Sequence, residues 1–315
     1  MALYAFDGTW NEERDTGVYG LNTNVVEFAR AYDGRLSVVQ KAETEGGPTV
    51  RDDFYVAGPG TRHGTLGKWF GGALGAGGRD RIDEARKAVA ARFAEGDETI
   101  DVVGFSRGAA LALHFTNVLA GETFRNRAGQ SVKAEVRFLG LWDVVAAFGI
   151  PIDVGPLNFQ RVNLGYRLKL GDHVRHCFHA VALDEKRDAF RVTRVDDGYQ
   201  VWFRGVHSDV GGGNQNTPLS NLALAWMLRK AAAVGLPVDA GAADRLAFDA
   251  LAPVRPATMG PMKKFRDVRA TDRVHHSASP RQVAECQNAP AGCPVETPAD
   301  ERGRAPTVAE LRAAR

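Results

Sequence analysis

Apolar and polar positions along the chain predict alternating strands and helices. Residues 98–103, Glu-Thr-Ile-Asp-Val-Val, form a β-branched run that reads as a buried strand. Residues 109–120 follow with helical character and stop near Gly121. Residues 3–6 read as a short first strand. Residues 22–32 read as a helix with Val25, Val26, Phe28 and Ala29 inward, and 37–41 as a second strand. In 80–94, Ile82, Ala85, Val89 and Phe93 recur at helical spacing. Segments 135–142, 175–183 and 200–206 read as further strands. A strong helix over 219–234 carries Trp226, Met227 and Leu228 as core and ends at Gly235. This alternation predicts an α/β three-layer sandwich around a mostly parallel central sheet.

The pattern is interrupted in two places. Residues 46–78 are glycine-rich and read as an insertion serving as a lid or access loop, with Trp69 and Phe70 as core or lipid-facing aromatics. No Gly-Lys-Ser/Thr follows to make it a phosphate loop. Periodicity fades beyond Leu251, and residues 286–315 read as an extended or mobile tail behind a catalytic domain spanning 1–285.

Candidate chemistry centres on Gly104-Phe105-Ser106-Arg107-Gly108, between a strand and a helix. G-x-S-x-G in that setting is a nucleophile elbow, which lifts Ser106 clear of the sheet and faces a helix N-terminus toward developing negative charge. Asp143 ends the next strand, and His207 follows the strand over 200–206 and precedes three glycines. Serine, acid, histidine is the chain order of α/β-hydrolases, so the sandwich is read as α/β-hydrolase-like. The Arg107 amide, with Gly8 or Thr9 after the first strand, is the expected oxyanion donor set. The Arg107 guanidinium either places an anionic head group or pairs with a carboxylate.

Other assignments compete. Asp209 is a rival acid, or a cation ligand beside Asp7. His275-His276-Ser277 is an alternative source of the base. Asp7-Gly8-Thr9 resembles the haloacid-dehalogenase loop, which would make Asp7 a phosphatase nucleophile, although Ala5 stands where that loop has a first aspartate. A non-catalytic hydrolase-like binding module is the remaining class. His173, His176 and His179 lack a completing carboxylate or cysteine set, so no metal or cofactor is expected.

Composition narrows the partners. The 315 residues carry 40 basic and 38 acidic side chains, a net charge of +2, which predicts no pull toward nucleic acid. The hydrophobic content of 44% is ample for a core. Among the three cysteines, Cys286 and Cys293 would pair only in an oxidising compartment. No stretch reaches the roughly 18 apolar residues of a membrane span, and Met1–Asp7 lacks signal-peptide features. A cytoplasmic protein, open to export without a cleaved signal, is expected.

Five strings occur together in order: Phe6-Asp7-Gly8-Thr9-Trp10-Asn11, Gly104-Phe105-Ser106-Arg107-Gly108-Ala109, Leu141-Trp142-Asp143-Val144-Val145, Ala182-Leu183-Asp184-Glu185-Lys186-Arg187, and residues 202–213 ending in His207-Ser208-Asp209-Val210-Gly211-Gly212-Gly213. Together they resemble the Tle1-type phospholipase effectors of type VI secretion over residues 2–280. The resemblance implies Ser106 as nucleophile, Asp143 as acid and His207 as base, acting on acyl esters of phospholipids. It also implies peripheral membrane contact and leaves room for an immunity or secretion partner. Val144-Val145 stands where the family often has Thr-Val, and the chain shows no sizeable C-terminal domain of the kind that helps the long effectors meet membranes.

Overall fold

The computed structural model describes residues 1–8, 22–32, 53–56, 73–146, 166–214, 217–239, 241–254, 264–278, 288 and 292–315. In chain order the elements are β1 (Ala2–Phe6), α1 (Asn24–Ala31), β2 (Asp53–Val56), α2 (Ala73–Glu95), β3 (Ile100–Phe105), α3 (Ser106–Leu119), β4 (Thr123–Arg125) and β5 (Ser131–Lys133). They continue with β6 (Val136–Trp142), β7 (Val174–Ala182), β8 (Tyr199–Phe203), α4 (His207–Gly211), α5 (Thr217–Ala233) and α6 (Ala242–Arg245). The last are β9 (Arg273–His275), β10 (Val295–Glu296), α7 (Pro298–Arg302) and α8 (Val308–Ala313).

Eight strands form one sheet in the order β2-β1-β3-β6-β7-β8-β9-β10, and every neighbouring pair is parallel. The short β4–β5 hairpin stands apart. A parallel sheet buries both faces, and β1 and β3 are buried at every residue. Their side chains alternate between two apolar layers. Tyr4, Phe6 and Val102 meet Ile82, Ala85, Val89 and Phe93 of α2 and the apolar side of α3. Leu3, Ala5 and Val103 meet Val25 and Phe28 of α1 and Leu222, Trp226 and Met227 of α5. The result is the three-layer α/β sandwich expected from the sequence. The chain leaves β1 toward β2 on one side and β3 on the other, so a topological switch point lies at their carboxyl ends, where open α/β sheets bind ligands.

Two expectations need correction. The stretch over 46–78 is not a continuous insertion: Asp53–Val56 pairs with β1 as the sheet edge, and α2 begins at Ala73. Gly75, Gly77 and Gly78 hid that helical turn, because each glycine costs a helix about 1 kcal/mol relative to alanine. The strand expected over 37–41 lies outside the described residues, as do Trp69 and Phe70.

The expected tail is also folded over residues 292–315. Glu296 of β10 is fully buried, accepts from Trp226 Nε1 at 3.0 Å and pairs with buried Lys230 at 2.9 Å. Val308 of α8 is buried in the layer shared with α2 and α3. These elements are two to six residues long, too short for a periodic signal. Their legible marks are two capping boxes, Thr297 with Asp300 and Thr307 with Glu310. Cys286 lies outside the described residues, while Cys177 is buried and Cys293 half-buried.

Candidate active site

β3 passes into α3 with no intervening residue, and Ser106 takes the turn at φ 59°. A non-glycine residue held there stores about 1–3 kcal/mol of strain. Close packing enforces the turn. A Cβ on Gly108 would lie 2.3 Å from the carbonyl oxygens of both Phe6 and Asp7, so only glycine lets α3 close on the end of β1. Val145 N–H donates to the Ser106 carbonyl at 3.2 Å from the far side. The Arg107 amide is among the first N–H groups of α3, which have no intrahelical acceptor. Burial pushes the Arg107 guanidinium down to about 10.

Among the described residues, the only other non-glycine with positive φ is Asp143, at 42°. Phe105 pairs with Trp142 across β3 and β6, so Ser106 and Asp143 leave adjacent strands side by side. Asp143 Oδ2 lies 2.5 Å from His207 Nδ1. Oδ1 accepts from the Ala182 amide at 2.9 Å. Arg266 grips the same carboxylate with both terminal nitrogens, Nη1 to Oδ1 at 2.5 Å and Nη2 to Oδ2 at 2.9 Å. It also donates to the carbonyls of Ala182 and Phe190. Burial works to raise the Asp143 pKa, but the Arg266 charge and the His207 contact outweigh it and hold the carboxyl far below its usual range. These partners favour the carboxylate form of Asp143.

His207 opens α4 instead of riding a loop. Its ring stacks on Phe105, centroids 4.6 Å apart, and meets Phe190 at 4.7 Å. Gly211 permits the stack, because a Cβ there would overlap the Phe105 ring at 1.9 Å. The His207 amide donates to Glu185 Oε2 at 3.1 Å, and Glu185 is itself held by Arg187. Asp184 meanwhile takes Arg204 and the Gly205 amide. The charged turn over 184–187 thus fixes the backbone that carries His207. Burial lowers the His207 pKa, opposed by Asp143 and assisted by the Arg266 charge, so the imidazole is neutral near pH 7. With Nδ1 toward Asp143, Nε2 is the ring atom left for proton transfer. Among the described residues, no hydrogen bond joins it to the Ser106 hydroxyl.

The rival assignments find other employment. Asp209 accepts from the Val206 amide and Asn214, which caps α4. Asp7 is buried, with Oδ1 on the Gly8 amide at 2.7 Å and Oδ2 on the Thr23 hydroxyl at 2.8 Å. The Gly8 amide, an expected oxyanion donor, is therefore engaged by Asp7, and Thr9 lies outside the described residues. His275 and His276 both face Glu301 and not Asp143. His179 accepts from the Val144 amide at 3.1 Å and bonds Gln200, steadying the segment after Asp143. Sequence reading missed Arg266, which it left in an aperiodic basic stretch, and the positioning roles of His179 and Glu185.

The family model of the type VI secretion Tle1-like phospholipase effector catalytic domain matches residues 3–121 and 115–230. This chain belongs to that family. Every residue of the Asp143–His207 pair and the Ser106 elbow lies inside the matched span. The Tle1-like chain superposes on an uncharacterized protein from Pseudomonas aeruginosa with a TM-score of 0.58 at 20% identity, covering 80% of this chain and 49% of that one. The Tle1 effector solved bound to the VgrG spike of the type 6 secretion system is similar at 24% identity and a TM-score of 0.45, over 68% of this chain and 51% of that one. The chain thus spans about half the length of both structures. No curated protein matches it.

Proposed function

We propose that this Tle1-like domain is a serine hydrolase that cleaves acyl esters of phospholipids through an acyl-enzyme. The observation that carries this reading is the 2.5 Å Asp143–His207 contact beside the strained Ser106 turn, at the carboxyl ends of neighbouring strands.

His207 Nε2 takes the Ser106 proton as the hydroxyl attacks the ester carbonyl. Asp143 keeps the imidazole in the tautomer with a proton on Nδ1 and stabilises the imidazolium. The hydroxyl–imidazole hydrogen bond forms when substrate fills the site. The Arg107 amide supplies one oxyanion donor. The second is assigned to the segment after β1, at Thr9 or at Gly8 once its amide leaves Asp7, and loss of one donor raises the barrier by about 2.7–4 kcal/mol. His207 returns its proton to the leaving alcohol, then activates water to free the acid.

The phospholipid substrate rests on family membership. So does the proposal that the domain travels by a type VI route and meets a secretion partner, the VgrG spike being the partner in the similar Tle1 structure. Parallel assays on short acyl esters, phosphatidyl lipids and aryl phosphates test the reading. Release of fatty acid, lost in Ser106→Ala, is expected. Phosphate release lost in Asp7→Asn would overturn it.

A further inference from the structure

Far along the sheet from Ser106, β9 ends at His275, and α7 brings Glu301 against it. His275 Nε2 lies 2.7 Å and His276 Nε2 2.8 Å from the same oxygen, Glu301 Oε1. We propose that His275, His276 and Glu301 form a binding site for a zinc-class divalent metal ion, which clamps the C-terminal segment to the sheet.

The donor set is two imidazole nitrogens and one carboxylate oxygen, which suits zinc with a fourth position left for water. The three ligand atoms lie within 4.8 Å of one another. A tetrahedral ion with ligands at about 2.0–2.1 Å spaces them about 3.3 Å apart. Widening the two contacts to Glu301 Oε1 by roughly half an ångström, with the two imidazole nitrogens turned to the same spacing, would admit the ion. His275 and Glu301 are buried, whereas His276 is partly exposed and borders a cavity of about 150 Å³ shared with Phe248 and Pro298. The cavity gives the ion an entry path and the water a place.

Neighbouring groups orient the ligand atoms. Arg229 donates to Glu301 Oε2 at 2.6 Å, which leaves Oε1 as the single ligand oxygen. His275 Nδ1 accepts from the Ser277 amide at 3.2 Å and meets the Ser277 hydroxyl at 2.7 Å; an ion on Nε2 would place the ring proton on Nδ1, where the hydroxyl accepts it in exchange for the amide's donation. The neighbouring Lys230 charge is matched by Glu296.

The test uses the full chain stripped with chelator, then given zinc chloride, with magnesium and calcium chlorides as controls. One zinc per chain should remain after gel filtration, and the melting temperature should rise with zinc alone. His276→Ala, at the partly exposed position, should fold by circular dichroism yet bind zinc about tenfold or more weakly and lose the thermal shift. Cys293→Ser, removing the half-buried thiol, should bind as the parent does. Absence of stoichiometric zinc, or undiminished binding in His276→Ala, would overturn the site and leave a His–Glu–His hydrogen-bond cluster. Neither readout involves ester hydrolysis.

Discussion

Arg266 holds Asp143 by a two-point grip, at 2.5 and 2.9 Å, on the very carboxylate that meets His207. The guanidinium orients the acid and also repels a proton from the imidazole beyond it. In the proposed mechanism it acts through Asp143 and His207, as a positioning residue.

The consequence is a pH profile. His207 is lowered by burial, so activity should be flat through neutrality and fall only below about pH 6.5, the ordinary histidine value. Removing the Arg266 charge raises the His207 pKa. In Arg266→Met the acid limb of kcat/KM should therefore move to higher pH, and Arg266→Lys should restore part of the shift. An unmoved limb in a folded Arg266→Met variant would separate Arg266 from the catalytic pair.

The acid assignment predicts a ranking. Asp143→Asn should lower kcat by about ten thousandfold, as expected when the imidazole is held in the wrong tautomer. Asp209→Asn, which weakens a helix cap, should cost about 0.5–2 kcal/mol of stability and leave kcat within a few fold. Steady-state kinetics on an acyl ester reads the first, and urea denaturation the second.

Gly108→Ala should be inactive or unfolded, because its Cβ meets two backbone carbonyls at 2.3 Å. Overpacking of this kind costs about 1–3 kcal/mol or more. Chemical denaturation measures the loss.

Acid should destabilise the fold through His179, whose pKa burial lowers from 6.5 to about 4. A histidine buried neutral binds fewer protons folded than unfolded. Its contribution is fully present above pH 6.5 and is lost as pH falls toward 4, by about 3 kcal/mol at most. Melting temperature recorded from pH 7 to pH 4 should fall, and less steeply in His179→Gln.

Local signals were legible where one stretch of chain carries them. The elbow showed because strand, turn and helix are contiguous, and the order Ser106, Asp143, His207 showed because each follows its own strand. Arg266 was illegible because its partner lies 123 residues away and its own surroundings have no period. The C-terminal elements were missed for a related reason. The buried Lys230–Glu296 pair fixes them through one long-range contact, which no local pattern announces. Asp209 looked like a rival acid because type and position alone do not separate a cap from a catalytic carboxylate. The 2.5 Å contact of Asp143 with His207 is what favours Asp143 in the proposed mechanism.

The central claim, that Ser106 is a nucleophile activated by His207, is tested most directly by covalent trapping. The folded domain is treated with a fluorophosphonate ester, and the labelled peptide is mapped by mass spectrometry alongside Ser106→Ala and His207→Ala. A single adduct on Ser106, absent from the first variant and slowed about a thousandfold or more in the second, is the predicted result. Labelling elsewhere, or at an unchanged rate without His207, would contradict it.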